Sequence, residues 1–326
     1  MPLLARRVIQ LVVVLLIVSF FAFTLVRILP GDPTKTILPF GTPAQRAQLK
    51  KDLGLDKSFF EQYGDYLGNV VQGDLGHRYS TNTRVSDLVK QSLPVSLQLM
   101  IYAQLLALLF AIPLGVLTAY RAGTRTDRSV TTSSFALIAL PNFVLGLLLS
   151  YIVGVKLKWL PVGDYHGGWL DPLFGAGRDT NIGEHIRDMV LPAITLAAGQ
   201  IAIYMRLLRS DMVATLQENF ILMAKSKGIS NRRILWRHAL RPSSLTLLTV
   251  AGLNVGTLIG GSIVVEVIFQ IPGMGKQIFD ALASREYVEL QGFILVLATV
   301  FVLVNFLVDV LYLVLDPRIR RARAAA

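Results

Sequence analysis

Residues 8–26 read VIQLVVVLLIVSFFAFTLV, a run of 19 positions in which only Gln10, Ser19 and Thr24 are polar. At about 1.5 Å of rise per residue, a helix of that length covers roughly the 30 Å hydrocarbon thickness of a bilayer. Arg6 and Arg7 precede the run, as they would in a secretory leader, but the apolar stretch is longer than a leader core and no small-x-small cleavage pattern follows it. An uncleaved first transmembrane helix is expected. Working outward, five further runs suit the same role: 93–120, 130–155, 189–208, 245–268 and 290–315. Pro113 and Pro141 fall inside two of them and are expected to kink rather than end their helices, because in a bundle neighbouring groups can satisfy the backbone that proline frees. The expected fold class is an all-α integral membrane protein with six transmembrane helices.

The chain of 326 residues supports this reading, being 53% hydrophobic with a mean hydropathy of +0.56. Soluble domains run at roughly 45–50% apolar. The absence of cysteine removes disulfide frameworks and thiolate metal sites, and four scattered histidines offer no replacement. A net charge of +11 would suit nucleic acid if it lay on one soluble face. It does not. With the N-terminus in the cytoplasm, the inner segments hold 17 of the 32 basic residues against four acidic ones: Asp127, Asp211, Glu218 and Asp316. These segments carry Arg6 and Arg7, then Arg121, Arg125 and Arg128, then the loop 206–241, and last Arg318, Arg320, Arg321 and Arg323. This is the positive-inside pattern, and it puts both termini in the cytoplasm without invoking nucleic acid. The expected organisation is residues 1–30 as N-terminus and first span, 31–92 as a small helical extracytoplasmic insertion, 93–315 as the core membrane domain, and 316–326 as a basic tail.

The insertion carries helix punctuation. Thr42, Pro43 and Gln45 suit the N-cap, N1 and N3 positions of a capping box with Gly54 as a stop, and Ser58 with Glu61 repeats the device. On the second helix Phe60, Tyr63, Leu67 and Val70 recur at helical spacing, an apolar face that suits packing on a partner but is expected to pack on the chain's own spans. The inner segment 207–242 is unusually long and patterned. It reads as two helices around a turn, the first from Met212 to Lys227, stopped by Gly228 in a left-handed conformation. Ser230 then caps a second helix on which Arg233, Arg237 and Arg241 make one basic stripe, while Ile234, Leu235 and His238 face elsewhere. Such a hairpin suits docking on a soluble partner, whereas arginines alone would equally suit anionic lipid.

The segment ENFILMAKSKGISNRRILWRHALRP, 218–242, resembles the cytoplasmic signature loop of ATP-binding-cassette importer permeases. Ala224, Gly228 and Leu240 match that signature; Leu222 and Met223 replace its Glu-Ala pair, His238 replaces an isoleucine, and Pro242 arrives one position late. Ala-Lys-Ser-Lys-Gly with the following Arg-Arg is most similar to the peptide-transporting branch. The same branch is resembled by Leu29-Pro30-Gly31-Asp32-Pro33, Leu53-Gly54-Leu55-Asp56, Gly73-Asp74-Leu75-Gly76, Ile268-Phe269 with Ile271-Pro272-Gly273-Met274-Gly275, and Leu315-Asp316-Pro317-Arg318. The resemblance covers essentially the whole chain and points to the first of two paired permeases in dipeptide and oligopeptide importers. It implies a type I importer permease fold in a bacterial or archaeal plasma membrane. The implied partners are a second homologous permease, two cytoplasmic ATPase domains that bind ATP and Mg, an extracytoplasmic substrate-binding protein, the peptide, and membrane lipid. Ala224, Lys225, Lys227, Gly228, Ile229, Arg232, Arg233 and Leu240 would then form the ATPase-coupling loop. Nickel, glutathione and antimicrobial-peptide importers share this permease type, so these cargoes stay open.

ATP is not expected on this chain, and neither is any other cofactor. The fragment Gly273-Met274-Gly275-Lys276 lacks the first glycine of a phosphate loop, is followed by Gln277, and is read as an outward turn. No nucleophile-base pair or metal constellation is found, so the chain is read as non-catalytic. Gly252, Gly256 and Gly260 recur every four residues on the fifth span, expected for close helix packing and, as a hypothesis, for the junction with a partner permease. Asn142, Gln200 and Asn254 are polar positions deep in the spans, suiting either interhelical hydrogen bonds or the translocation pathway. A secondary transporter or channel would need an ionisable group near the midplane, and no expected span carries an acidic residue there. A membrane scaffold or receptor, with the insertion as sensor, is the third class.

Overall fold

The computed structural model describes residues 3–28, 34, 37, 38, 40–52, 54, 56–178 and 181–315. The motif 29–33, Leu53, Leu55 and the basic tail 316–326 lie outside them, as do the side chains of Arg6, Arg7 and Asp309. The helices are α1 (Leu3–Ile28), α2 (Pro43–Asp52), α3 (Phe59–Val71), α4 (Val85–Tyr120), α5 (Arg125–Ala139) and α6 (Asn142–Leu149), the last prolonged by a π-helical segment Ser150–Lys156. They continue with α7 (Ile182–Thr215), α8 (Asn219–Ser226), α9 (Asn231–Ile268), α10 (Met274–Ala283) and α11 (Tyr287–Leu315). Among the described residues the only β pairing is an isolated bridge between His77 and Arg84.

Among the described residues four helices are long and apolar enough to cross a bilayer: α4, α7, α9 and Tyr287–Val308 of α11. Helices α5 and α6 together pass the same test but meet at 99°, making five if the bent pair is one span, and Val8–Thr24 of α1 forms a shorter apolar helix. The expectation of a kink at Pro141 is corrected to a break. Leu140, directly before the proline, is extended (φ −83°, ψ 116°), the region to which the proline ring drives its predecessor. Pro113 and Pro192 instead stay inside the continuous helices α4 and α7.

The described residues form two compact units. In the first, drawn from 1–96, 168–180 and 272–306, both expected capping boxes are formed. The Thr42 N–H donates to Gln45 Oε1 at 2.8 Å and Gln45 N–H donates back to Thr42 Oγ1 at 3.3 Å. Ser58 and Glu61 repeat the exchange, and Gly54 has φ +63°. Helix α3 lies on α1, as expected of its apolar face, with Tyr63, Leu67 and Val70 half-buried; Phe59, Tyr63 and Tyr66 make ring contacts with Phe20 and Phe23, whereas Phe60 is 77% exposed. Positions 59, 63 and 66 follow the 3.6-residue repeat, and residue 60 stands about 100° round from 59. The Arg27 guanidinium caps this cluster 3.5 Å above the Phe23 ring and bonds Gln62. In the same unit a tight turn is gripped at the start of α11: Tyr79 and Ser80 N–H donate to the carboxylate of Glu286, just before the helix, at 2.7 and 3.0 Å, and Arg78 pairs with buried Glu289 on it at 2.9 Å.

The second unit, from 97–167, 181–271 and 307–326, is centred on one buried cluster. Ala107, Ala111, Val116 and Ala119 of α4 meet Ala197, Tyr204, Met205, Leu208 and Met212 of α7, with Ile221 and Ala224 of α8 and Ile234, Ala239, Leu247 and Ala251 of α9. Small residues let these helix backbones approach: a Cβ on Gly115 would meet Leu208 at 3.0 Å. Outside the cluster large apolar side chains remain uncovered, Leu109 at 64% and Leu307 at 62%, a surface suited to lipid.

Candidate docking loop and intramembrane polar groups

The inner segment departs from the expected two-helix hairpin at both ends. The first helix does not run unbroken from Met212 to Lys227; α7 ends at Thr215 and α8 starts afresh at Asn219, with extended Glu218 as its N-cap residue. Met212 and Ile221 are both fully buried in the same cluster. Nine residues apart, they would lie on opposite faces of a straight helix at about 100° per residue, so the intervening turn lets both reach the core. At the far end Ser230 occupies the N-cap position without a side-chain cap bond, and the helix it opens is not a separate arm. It is the start of α9, whose first turns pass through a π-helical segment Ile234–Ala239 and continue without interruption to Ile268.

Between these helices the chain reverses at Gly228, where φ is +72°. The Gly228 N–H donates to Lys225 O at 2.9 Å and the Ile229 N–H to Ala224 O at 3.2 Å, the paired closure of a Schellman motif. Ile229 and Leu240 are half-buried against the cluster and Ala224 is buried in it, so these three anchor the loop. The opposite face is open: Lys225, Lys227, Arg232, Arg233, Arg237 and Arg241 are all exposed. Phe220 (46% exposed), Leu222 (53%), Met223 (59%) and Trp236 (48%) of the same segment are exposed as well. Thr215 and Ser243 hydroxyls meet at 2.9 Å across the base, tying α7 to α9. Higher on the same helices, Arg209 grips buried Asp127 of α5 with two bonds of 2.6 and 2.7 Å, and the Gly123 N–H donates to the same carboxylate at 2.8 Å.

Of the three intramembrane polar positions, two are brought together. Asn254 Nδ2 donates to Gln200 Oε1 at 3.1 Å, Gln200 Nε2 donates to Thr257 Oγ1 at 3.1 Å, and Thr257 closes on the Asn254 carbonyl at 2.7 Å. One helical turn on, Tyr204 donates to Gln104 Oε1 of α4 at 3.2 Å. Asn142 stands apart from this chain, beside Gly199 and Gly261. The glycine stripe divides. A Cβ on Gly252 would lie 2.5 Å from Val308 Cγ1, Gly256 is buried, and Gly260 is exposed with nothing within 4 Å of its Cβ position. Gly252→Leu is therefore expected to cost about 1–3 kcal/mol through overpacking. Val308→Ala should restore much of it, read as the melting temperature of the two variants and their combination. If this face is the junction with a partner permease, Gly256→Leu should block assembly or uptake, and normal uptake by that variant would dismiss the junction.

Gly273-Met274-Gly275-Lys276 is a helix start rather than a turn, and its first amide is engaged, Met274 N–H donating to Ser96 Oγ at 2.8 Å. Among the described residues no group of three or more His, Asp or Glu side chains is arranged to hold a metal ion.

Apolar helices suited to lipid, joined by a short basic segment anchored in their buried cluster, define an all-helical membrane protein. Residues 111–321 match the family described as binding-protein-dependent transport system inner membrane component, and residues 1–100 match its N-terminal membrane-component family. The chain belongs to this family of multi-pass inner-membrane transport components. It is 37% identical to the di/tripeptide transport system permease protein DppB of Pseudomonas aeruginosa, over 98% of each chain. It is 36% identical to the oligopeptide transport system permease protein AppB of Bacillus subtilis, over 96% of this chain and 98% of that one. Against the dipeptide transport system permease protein DppB of Escherichia coli the identity is 34%, over 94% and 95%.

Proposed function

We propose that this chain is a permease subunit of an ATP-binding-cassette importer, forming half of the pathway by which dipeptides and oligopeptides cross the membrane. On this reading α1, α4, the bent pair α5–α6, α7, α9 and α11 are six spans with both termini cytoplasmic. Residues 31–92 are the extracytoplasmic insertion and 93–315 the type I permease core. A second permease completes the pathway, an extracytoplasmic binding protein delivers the peptide, and two ATPase domains holding ATP and Mg dock on α8 and the start of α9. The chain itself performs no bond chemistry. Closure of the ATPases moves the loop, and α7 and α9, joined at Thr215–Ser243, carry that movement to the pathway. Gln200 and Asn254 lie on those two helices and are the candidate pathway groups, with Asn142.

The observation that carries the proposal is the Schellman-closed loop with exposed Phe220, Leu222, Met223 and Trp236 and six exposed cations, in a chain whose relatives are named as peptide permeases. Exposed aromatics and Met on a segment rich in arginine match the composition of protein interfaces. Lys227→Cys in intact cells tests it. An impermeant thiol reagent should leave this cysteine unlabelled until the membrane is opened, and co-expressed ATPases should protect it afterwards. Labelling from outside, or peptide uptake by the chain without ATPases, would overturn the reading in favour of a self-sufficient carrier.

A further inference from the structure

At the opposite end of α7 from the docking loop, a hollow of about 510 Å3 opens between the first turns of that helix and the segment 157–167. Val155, Trp159 and Val162 line it together with Lys158, Asp164, His166, Glu184, Arg187 and Asp188. We propose that His166, Glu184 and Asp188 form a proton-binding site that latches the 157–167 segment to the start of α7.

The geometry of the imidazole carries the inference. His166 Nδ1 lies 2.9 Å from Asp188 Oδ2, and Nε2 lies 3.3 Å from Glu184 Oε2. A neutral imidazole has one N–H, so with a carboxylate at each nitrogen one of the two faces would set a lone pair against an anion. Only the imidazolium donates to both. Glu184 and Asp188 are four residues apart on α7, hence on one face, and the His166 backbone N–H donates to the same Asp188 oxygen at 2.9 Å. The proton thus closes a clamp whose two acidic jaws belong to the helix and whose bolt belongs to the loop. Asp164 adds a third negative charge from the loop, while Lys158 and Arg187 are the opposing cations in the hollow. His185, fully buried between Tyr102 and Tyr165, adds a bond from Nδ1 to the His166 carbonyl at 2.8 Å that needs only a neutral ring.

The hydrogen bond that the imidazole donates to Asp188 raises the His166 pKa above its ordinary value; burial opposes it, and the charges of Asp188, Glu184 and Asp164 add to the rise. A raised value in the folded chain fixes the sign. The latch is fully closed below the unfolded histidine pKa of about 6.5 and is released as pH rises through the higher folded value. On the topology proposed above, this end faces the exterior, so the site would sense external pH. That clause rests on the proposed function, but the clamp does not.

The test uses the full chain in lipid nanodiscs. Deuterium exchange at the histidine C2 position, followed by mass spectrometry, titrates His166 directly, and backbone amide exchange of 157–167 reports the docking of the loop. Both side chains chosen for substitution are about half exposed, so His166→Gln and Glu184→Gln should fold. Expected are a His166 midpoint above about 6.5, a lower midpoint in Glu184→Gln, and a loss of loop protection at the wild-type midpoint that is missing in His166→Gln. A midpoint at or below the ordinary value, no shift in Glu184→Gln, or the same protection step in His166→Gln would each overturn the latch. Neither readout uses transport, so a failed latch leaves the permease reading standing. Conversely, an intact latch in a chain that imports without ATPases would refute only the permease reading.

Discussion

Gly228→Val is expected to abolish capture of the partner ATPases and peptide uptake while leaving the membrane bundle folded. Gly228 sits at φ +72°, and a built Cβ there meets nothing within 4 Å. The penalty is therefore conformational, not a clash with the rest of the chain. A left-handed residue with a Cβ costs roughly 1–2 kcal/mol, and β-branching adds to this. The Schellman closure through Lys225 and Ala224 is local, so the chain can escape the strain by opening α8 rather than by unfolding. Opening α8 would scatter Phe220, Leu222 and Met223, the exposed side chains proposed to meet the partner. Asparagine tolerates the left-handed region, so Gly228→Asn should retain most binding, with Gly228→Ala between the two. The measurements are co-purification of the ATPases, uptake of a labelled dipeptide, and the melting temperature of the permease. Full coupling in Gly228→Val, or a melting temperature that falls in step with binding, would defeat the idea that the loop's shape is what the partner reads.

Gly228 was readable from the sequence because everything that determines it is local: a helix-period run, a lone glycine, and an apolar residue after it. The capping boxes at Thr42 and Ser58 were readable for the same reason. Pro141 was not. Pro113, Pro141 and Pro192 all interrupt apolar runs and bear the same steric constraint on the preceding residue, yet only at Pro141 does the chain turn through 99°. Whether a proline is absorbed or breaks the helix depends on what surrounds it, which periodicity does not record. The break between α7 and α8 had the same origin, since the nine-residue spacing of Met212 and Ile221 only becomes a constraint once both are known to be buried together. Phe60 was misassigned to the inner face of α3 because the aromatic run offers two starting phases, and only contact with Phe20 and Phe23 chooses Phe59.

The polar groups show a similar division. Gln200 and Asn254 could be singled out as costly residues in apolar runs, but the bonds joining them cross 54 residues of sequence. With both amide ends of Gln200 engaged by α9, the pair braces α7 against α9 at the level of the glycine stripe. The His166 clamp had no sequence signal beyond two acids four apart, a pattern that usually marks a solvated helix face. Its partner comes from a loop 22 residues upstream.

The largest loss of stability is expected from Arg209→Met. Asp127 is 5% exposed at its side chain and receives two charge-assisted bonds from Arg209, which is itself only 29% exposed. Bidentate pairs of this kind are among the stronger side-chain interactions. Yet the pair as a whole need not stabilise the fold, because desolvating both ions offsets much of their attraction. Removing one partner is different: Asp127 would stay buried with only the Gly123 amide and the Thr131 hydroxyl to satisfy it, at a cost of about 3–5 kcal/mol. Arg209→Met should therefore lower the melting temperature of the permease sharply, and Arg209→Lys should recover part of the loss, since lysine keeps the charge but not the fork. The double variant Asp127→Leu/Arg209→Met should be more stable than Arg209→Met alone, because no charge is left stranded where α5 meets α7. If the double variant melts at the sum of the two single losses, the two side chains act independently. The stability of this corner would then lie in the apolar packing around Met205 and Leu208 rather than in the ion pair.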